Sequence, residues 1–317
     1  MKYFFRFIVI IVSLIPVVGL SQTVPNVFTY KVGQTEVILL SEGQGTGTSG
    51  IFLGATPEMI QRAMPNGTYP NSCNAFLVRM KGKNILVDAG RSAQILLENL
   101  RSIGVAPEQI DYVLITHVHG DHIGGLLRDG QAVFPNAEMF LSQAEYDYGV
   151  NGGDRTAGAR NVFEAYKSKL NTIEAQEIDT HMPHFFLRAF DPELPMDIRH
   201  NQQYMVGRIR PIAAYGHTPG HTLFMIESGD EKLLIWGDLT HAMAIQMPYP
   251  QVAMTFDVNP EMAIAARRKV LEYVAANNIM IAGVHNAFPG MGWIRKTSDG
   301  GYAYHPPPHV LPLPLAP

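Results

Sequence analysis

The chain reads as an α/β protein with mixed sheets and a metal-binding loop at a strand end, and two observations lead there. Short β-rich runs recur along the sequence, some joined as tight hairpins and others separated by helical stretches, so a strictly parallel doubly wound sheet is disfavoured. Directly after one of these runs comes ITHVHGDHIGG, residues 115–125, with three histidines and an aspartate in six consecutive positions. A lone histidine is most often a satisfied core or surface residue, and expression tags lie at chain ends. An internal His-x-His-x-Asp-His fits neither description and reads as a metal segment.

Taken in order, strands are predicted at 36–40, 74–80, 83–87, 112–116, 138–141, 209–214, 223–227, 233–236 and 279–282. Met80-Lys81-Gly82-Lys83 joins the second and third as a hairpin. Apolar residues at helical spacing predict a helix over 92–103, and 156–170 has a weaker helical pattern. Ser142-Gln143-Ala144-Glu145 has the form of a capping box, the serine capping the helix and the glutamate reaching back to it. Residues 260–276 open with proline and continue with helix formers. Gly, Pro and polar residues interrupt the pattern over 151–205, which forms either a wall of a pocket or a surface insertion.

Of the 317 residues, 46% are hydrophobic and 16% charged, an ordinary balance for a chain that buries a sizeable core. The formal net charge of −4, with Arg267-Arg268-Lys269 as the only basic cluster, argues against nucleic acid as a partner and for a small-molecule substrate. Lys2 and Arg6 precede an apolar run over 7–20, and small residues at Gly19 and Ser21 suit a cut before Gln22. Residues 1–21 therefore read as a signal peptide, 22–305 as a single domain and 306–317 as a proline-rich extended tail. The expectation is an exported protein, periplasmic or secreted, without stable membrane insertion after cleavage. The apolar run is short for a bilayer span, which disfavours the competing reading of an uncleaved anchor. A homodimer is left open. Cys73 is the only cysteine, so no disulfide closes within the chain and any metal is held by imidazole and carboxylate.

Alternation puts His117 and His119 on one side as the chain leaves the strand, with Asp121 in the turn and His122 opening a short helix. Four donors in one loop exceed what a single tetrahedral zinc takes from one segment, and two metals sharing it fit better. Further donors follow other strands in the same manner: His217 and His221 after 209–214, Asp238 after 233–236, and His285 after 279–282. That recurrence of strand, glycine and ligand-type residue points to one shared site.

Asp88 in VDAG, THVHGDH, GHTPGH, WGD and His285, in that order, resemble the metallo-β-lactamase superfamily over most of residues 30–305. FPNA at 134–137, HTPGHT at 217–222, GDLTH at 237–241 and HNAFPGMGWIR at 285–295 look like its methyl parathion hydrolase and lactonase-like members. The resemblance implies a four-layer αββα sandwich with the site at strand ends between the sheets. It also implies two divalent ions, zinc by default, one held by His117, His119 and His217 and the other by Asp121, His122 and His285. Asp238 would bridge them opposite a bridging hydroxide, and Asp121 and Asp238 would be the catalytic residues among the ligands. Asp88 would orient the metal loop without touching metal. His221 reads as structural, His241 as pocket lining or surface, and His181, His184 and His200 as loop histidines. The cysteine ligand of some β-lactamases has no counterpart here, which argues against β-lactams as the main substrate.

The function this implies is hydrolysis of an ester, lactone or phosphotriester. A glyoxalase II-type thioester hydrolase is the runner-up, weakened by export, since thiol conjugates are mainly cytosolic. An iron-dependent oxidoreductase of the same fold is a third reading. A non-catalytic scaffold is disfavoured, because ligand-type residues stand at all seven positions.

Overall fold

A computed structural model describes residues 26–178 and 208–308. The expected signal peptide, most of the tail and the loop histidines at 181, 184 and 200 lie outside those residues.

Two seven-stranded sheets face each other. The first runs, in spatial order, Val27–Val32, Thr35–Thr48, Thr68–Met80, Lys83–Val87, Tyr112–Leu114, Glu138–Ser142 and Leu170–Ile173. Its first four strands are antiparallel neighbours and its last four parallel ones. The second runs Gln176–Glu177, Arg208–Ala213, Thr222–Ser228, Glu231–Ile235, Met280–Ala282, Met291–Lys296 and Tyr302–His305, with parallel and antiparallel pairs mixed.

Period-2 alternation sorts the side chains into layers. Val37, Leu39, Phe76, Val78 and Leu114 of the first sheet meet Phe224, Ile226, Leu233 and Ile235 of the second between the sheets. Ile38, Leu40, Leu77 and Val113 point the other way, onto Leu96 and Leu100 of the helix Ala93–Ser102 and Val162 and Phe163 of Ala157–Ala165. On the far side, Leu223, Met225, Leu234 and Ile281 pack on Val270, Leu271 and Val274 of Pro260–Ala276. The result is a four-layer αββα sandwich with three apolar seams. Phe76 is fully buried in the middle seam, and Phe76→Ala there costs about 3–5 kcal/mol.

Local chemistry sets the boundaries. Ser92, Ser142 and Asn259 each accept a backbone N–H as N-caps, and Pro260 takes the first helical position, where its missing N–H costs nothing. Lys81 (φ 50°) and Gly82 (φ 76°) form the expected two-residue turn between Met80 and Lys83. Three expectations shift. The helical run 156–170 is helical only over Ala157–Ala165, and Leu170 begins an edge strand. The strand expected to reach residue 116 ends at Leu114. The strand expected from residue 74 starts at Thr68, because Thr68–Ser72 pairs with the glycine-rich Gln44–Thr48 across a bulge.

Candidate metal centre

Each loop of the centre leaves the end of a strand. The chain passes from Tyr112–Leu114 through Ile115–Val118 into a one-turn helix, Gly120–Ile123, with His119 as its N-cap. The helix opens at Gly120, two residues before His122, so Asp121 lies within it and not in the turn ahead of it. His217 follows Arg208–Ala213, Asp238 follows Glu231–Ile235, and His285 follows Met280–Ala282. Gly237 has φ 50°, and a Cβ there would come 2.6 Å from His221 Nε2, so the turn that aims Asp238 needs glycine.

The structure brings together all seven residues named from the sequence. His117, His119, His217 and Asp238 form one group, and Asp121, His122 and His285 another, with donor atoms within 4.8 Å of one another in each. His117 Nε2 lies 3.0 Å from His119 Nδ1 and 3.2 Å from His217 Nε2, and the last two are 3.1 Å apart. Asp238 sits between the groups. Its Oδ1 is 3.1 Å from His122 Nε2, and its Oδ2 is 3.3 Å from His285 Nε2, 3.4 Å from His217 Nε2 and 3.6 Å from His117 Nε2.

These contacts suit a cation better than hydrogen bonds. Three ring nitrogens converging within hydrogen-bond distance cannot satisfy one another with the few protons available to them. His122 Nε2 and Asp238 Oδ1 are buried without a hydrogen bond although they lie 3.1 Å apart, and orphaned buried polar atoms of this kind call for an ion or water. The all-imidazole and imidazole–carboxylate donor sets fit zinc and also manganese, cobalt or iron.

The opposite ring nitrogens are pinned, which fixes how each imidazole presents itself. Asp88, at φ 57°, accepts from Thr116 N–H at 2.8 Å and Thr116 Oγ1–H at 2.7 Å, and its Oδ2 takes His122 Nδ1 at 2.8 Å. Asp257 takes His217 Nδ1 at 2.8 Å, and the Ser72 carbonyl takes His285 Nδ1 at 2.9 Å. His221 cannot serve as a ligand, because Nδ1–H donates to the Ala214 carbonyl and Nε2 accepts from Asp238 N–H, each at 3.0 Å. It therefore holds Asp238 in place.

Burial sets the charges. It holds His117 well below the ordinary histidine range, with help from His122, and brings His119 and His221 down to about 3. Burial also opposes charge on His122 and His285, yet Asp238, with Asp88 at the first and Asp121 at the second, outweighs it and raises both. Asp238 is pulled well below the carboxylate range because His122, His285, His241 and His117 overcome its desolvation.

Two residues near the centre were not resolved from sequence. His241 is buried, with Nε2 2.7 Å from Asp238 Oδ2, its ring stacked on His285 and its Nδ1 without a partner. Asp257 went unnoticed: in TFDVNP it looks like a polar residue ahead of a helix cap, and only the fold carries it to His217. The centre opens into a cavity of about 520 Å³ walled by Ile51, Tyr69 and Phe256, with Asn71, Arg91 and His241 as polar edges.

The family model of the metallo-β-lactamase superfamily matches residues 68–128. Among solved structures, a dizinc quorum-quenching lactonase, AidC, in complex with the product N-hexanoyl-L-homoserine, superposes with a TM-score of 0.75 at 23% identity, covering 90% of this chain and 98% of that one. AbOPH, a hydrolase in the β-lactamase superfamily, gives 0.72 at 25% identity with the same coverage. Among curated proteins, exodeoxyribonuclease WalJ of Streptococcus pneumoniae (serotype 2, strain D39) is 27% identical over 187 residues, 54% of this chain and 68% of its own length. Ribonuclease Z of Nanoarchaeum equitans is 38% identical over 73 residues, 23% of this chain and 20% of its own length.

Proposed function

We propose that the chain is a metal-dependent hydrolase of the metallo-β-lactamase superfamily that opens carboxylic esters and lactones, and phosphotriesters of similar size, at a centre of two divalent ions, zinc by default. The observation that carries the reading is Asp238, whose two oxygens stand between two separate donor groups at the floor of a cavity with apolar and polar walls. His117, His119 and His217 would hold one ion and Asp121, His122 and His285 the other, with Asp238 shared. When bound, such a pair supplies an activated water nucleophile near neutral pH and polarises the oxygen of the scissile bond.

The residues of the chain do the rest. Asp88, Asp257 and the Ser72 carbonyl fix the tautomers, so ring nitrogens face the centre without protons. Burial brings His241 down to about 4 and keeps it neutral. Donating from Nε2 to Asp238 Oδ2, it keeps that oxygen in one orientation. Phe256, which packs edge-on against both His217 and His241, shields the reacting end from bulk water, while Ile51 and Tyr69 complete a wall for an acyl or aryl group.

The lactonase structure supports this substrate class by likeness of fold, and the WalJ similarity keeps a nucleic-acid phosphodiester as the second reading. A substrate panel separates them. Aryl esters and lactones are expected to turn over fastest, phosphotriesters next, and thioesters, β-lactams and single- or double-stranded DNA slowest. Faster cleavage of DNA than of any ester or lactone would overturn the substrate claim. The N-terminal pattern supports export, and we place the mature protein outside the cytoplasm, beginning at Gln22.

A further inference from the structure

The stretch Ser142-Gln143-Ala144-Glu145 forms only half of the capping box its sequence predicts. Ser142 Oγ accepts from Glu145 N–H at 3.2 Å, as a cap should. The Glu145 side chain turns away from the cap. Fully buried, it reaches two loops that come from different sheets. Its Oε1 accepts from Val118 N–H at 2.9 Å, and its Oε2 accepts from Thr218 Oγ1–H at 2.7 Å and Gly220 N–H at 3.0 Å.

The partners matter more than the count. Val118 lies between His117 and His119, and Thr218 directly follows His217. The loop at 217–221 is also pressed onto the start of the helix Gln143–Asn151. Ser142 Oγ donates to the Gly220 carbonyl at 2.7 Å, and a Cβ at Gly220 would strike Ser142 Oγ and the Glu145 backbone nitrogen. From these contacts we infer that Glu145 is a positioning residue that locks His117, His119 and His217 into a single ligand set. Its removal then weakens one half of the metal centre and spares the other.

Nothing equivalent ties Glu145 to the second half, where Asp88 and the Ser72 carbonyl hold the rings. Its hydrogen-bond partners are neutral donors, and among the described residues it forms no ion pair with Lys or Arg. Burying a carboxylate without a basic partner is costly, and a cation on the adjacent imidazoles offsets that cost. A glutamine of the same shape accepts through one atom only, and its amide NH2 then faces N–H donors on the other side.

The inference rests on the two-ion reading, and metal content tests the two separately. The full chain is loaded with zinc or cobalt and dialysed against a weak chelator, and affinities are measured by chelator competition. Wild type is expected to keep two ions. Glu145→Ala should lose about 10- to 100-fold in affinity for one ion only and keep the other. Glu145→Gln should show a smaller loss at the same ion. In a His217→Ala background, where that half is already empty, Glu145→Ala should change nothing further; in a His285→Ala background it should strip the remaining ion. Two tightly held ions in Glu145→Ala, or equal weakening of both, would overturn the inference while leaving the two-ion reading intact. One ion in wild type would overturn the two-ion reading instead. Should Glu145→Ala fail to fold, Glu145→Gln and Thr218→Val decide, and unchanged affinities in both would sink the proposal.

Discussion

His117, His119 and His217 face one another as three imidazoles, whereas Asp121, His122 and His285 set a carboxylate beside two. Both trios are gathered from both sheets: His117, His119, Asp121 and His122 leave the first, His217 and His285 the second. Burial holds His117 and His119 below the ordinary histidine range, so these two offer lone pairs and no charge. In the second trio the carboxylates outweigh burial and raise His122 and His285, so this half favours positive charge. The supports differ too. Asp257 and Glu145 hold the first trio, while Asp88 and a backbone carbonyl hold the second. Two sites sharing Asp238 should therefore be separable by mutation.

The largest effect is expected where the halves meet. Asp238→Ala removes the shared carboxylate, so occupancy of both ions should fall and turnover with it. The loss is several kcal/mol of transition-state stabilisation, about a thousandfold or more. Elemental analysis beside ester turnover measures both. Next come the halves themselves: His285→Ala should chiefly empty one and His217→Ala the other. Equal loss of both ions from each variant would erase the distinction.

Smaller effects come from the supports. Asp88→Ala should weaken the His122 half by about 10- to 100-fold. It should also destabilise the fold by about 1–3 kcal/mol, because Thr116 N–H is left buried and unpaired. Asp257→Asn should weaken the His217 half alone. Chelator competition and thermal melts check each.

The smallest effect is expected at Cys73, a buried thiol beside the Asp121 carbonyl, whose proton burial holds far above the ordinary thiol range. A thiol so held is no nucleophile. Cys73→Ser should leave turnover within about twofold and cost roughly 1 kcal/mol of stability. A large loss of turnover would argue for thiol chemistry. Intact-mass measurement of exported protein should give Gln22 as the first residue, and a retained Met1 in a membrane fraction would argue for an anchor.

What was legible in the sequence follows the same division. Ligands announce themselves because chemistry demands particular residue types at strand ends, and WGD or THVHGDH has few other uses. Supports do not. Asp257 lies 40 positions from the ring it orients, and Glu145 sits in a pattern that local rules assign to a helix cap. Their partners exist only after the sheets have packed. The strands Met291–Lys296 and Tyr302–His305 were missed for a similar reason, since Gly292 and a short edge give little alternation to read. Thr68–Ser72 is a strand because Gln44–Thr48 lies beside it, a pairing no window of sequence contains.

The central claim is that hydrolysis needs both halves occupied. Protein stripped by chelation should be inactive toward aryl esters and lactones, and titration with zinc or cobalt should restore turnover up to two equivalents per chain. Full activity at one equivalent, or turnover that survives chelation, would contradict it.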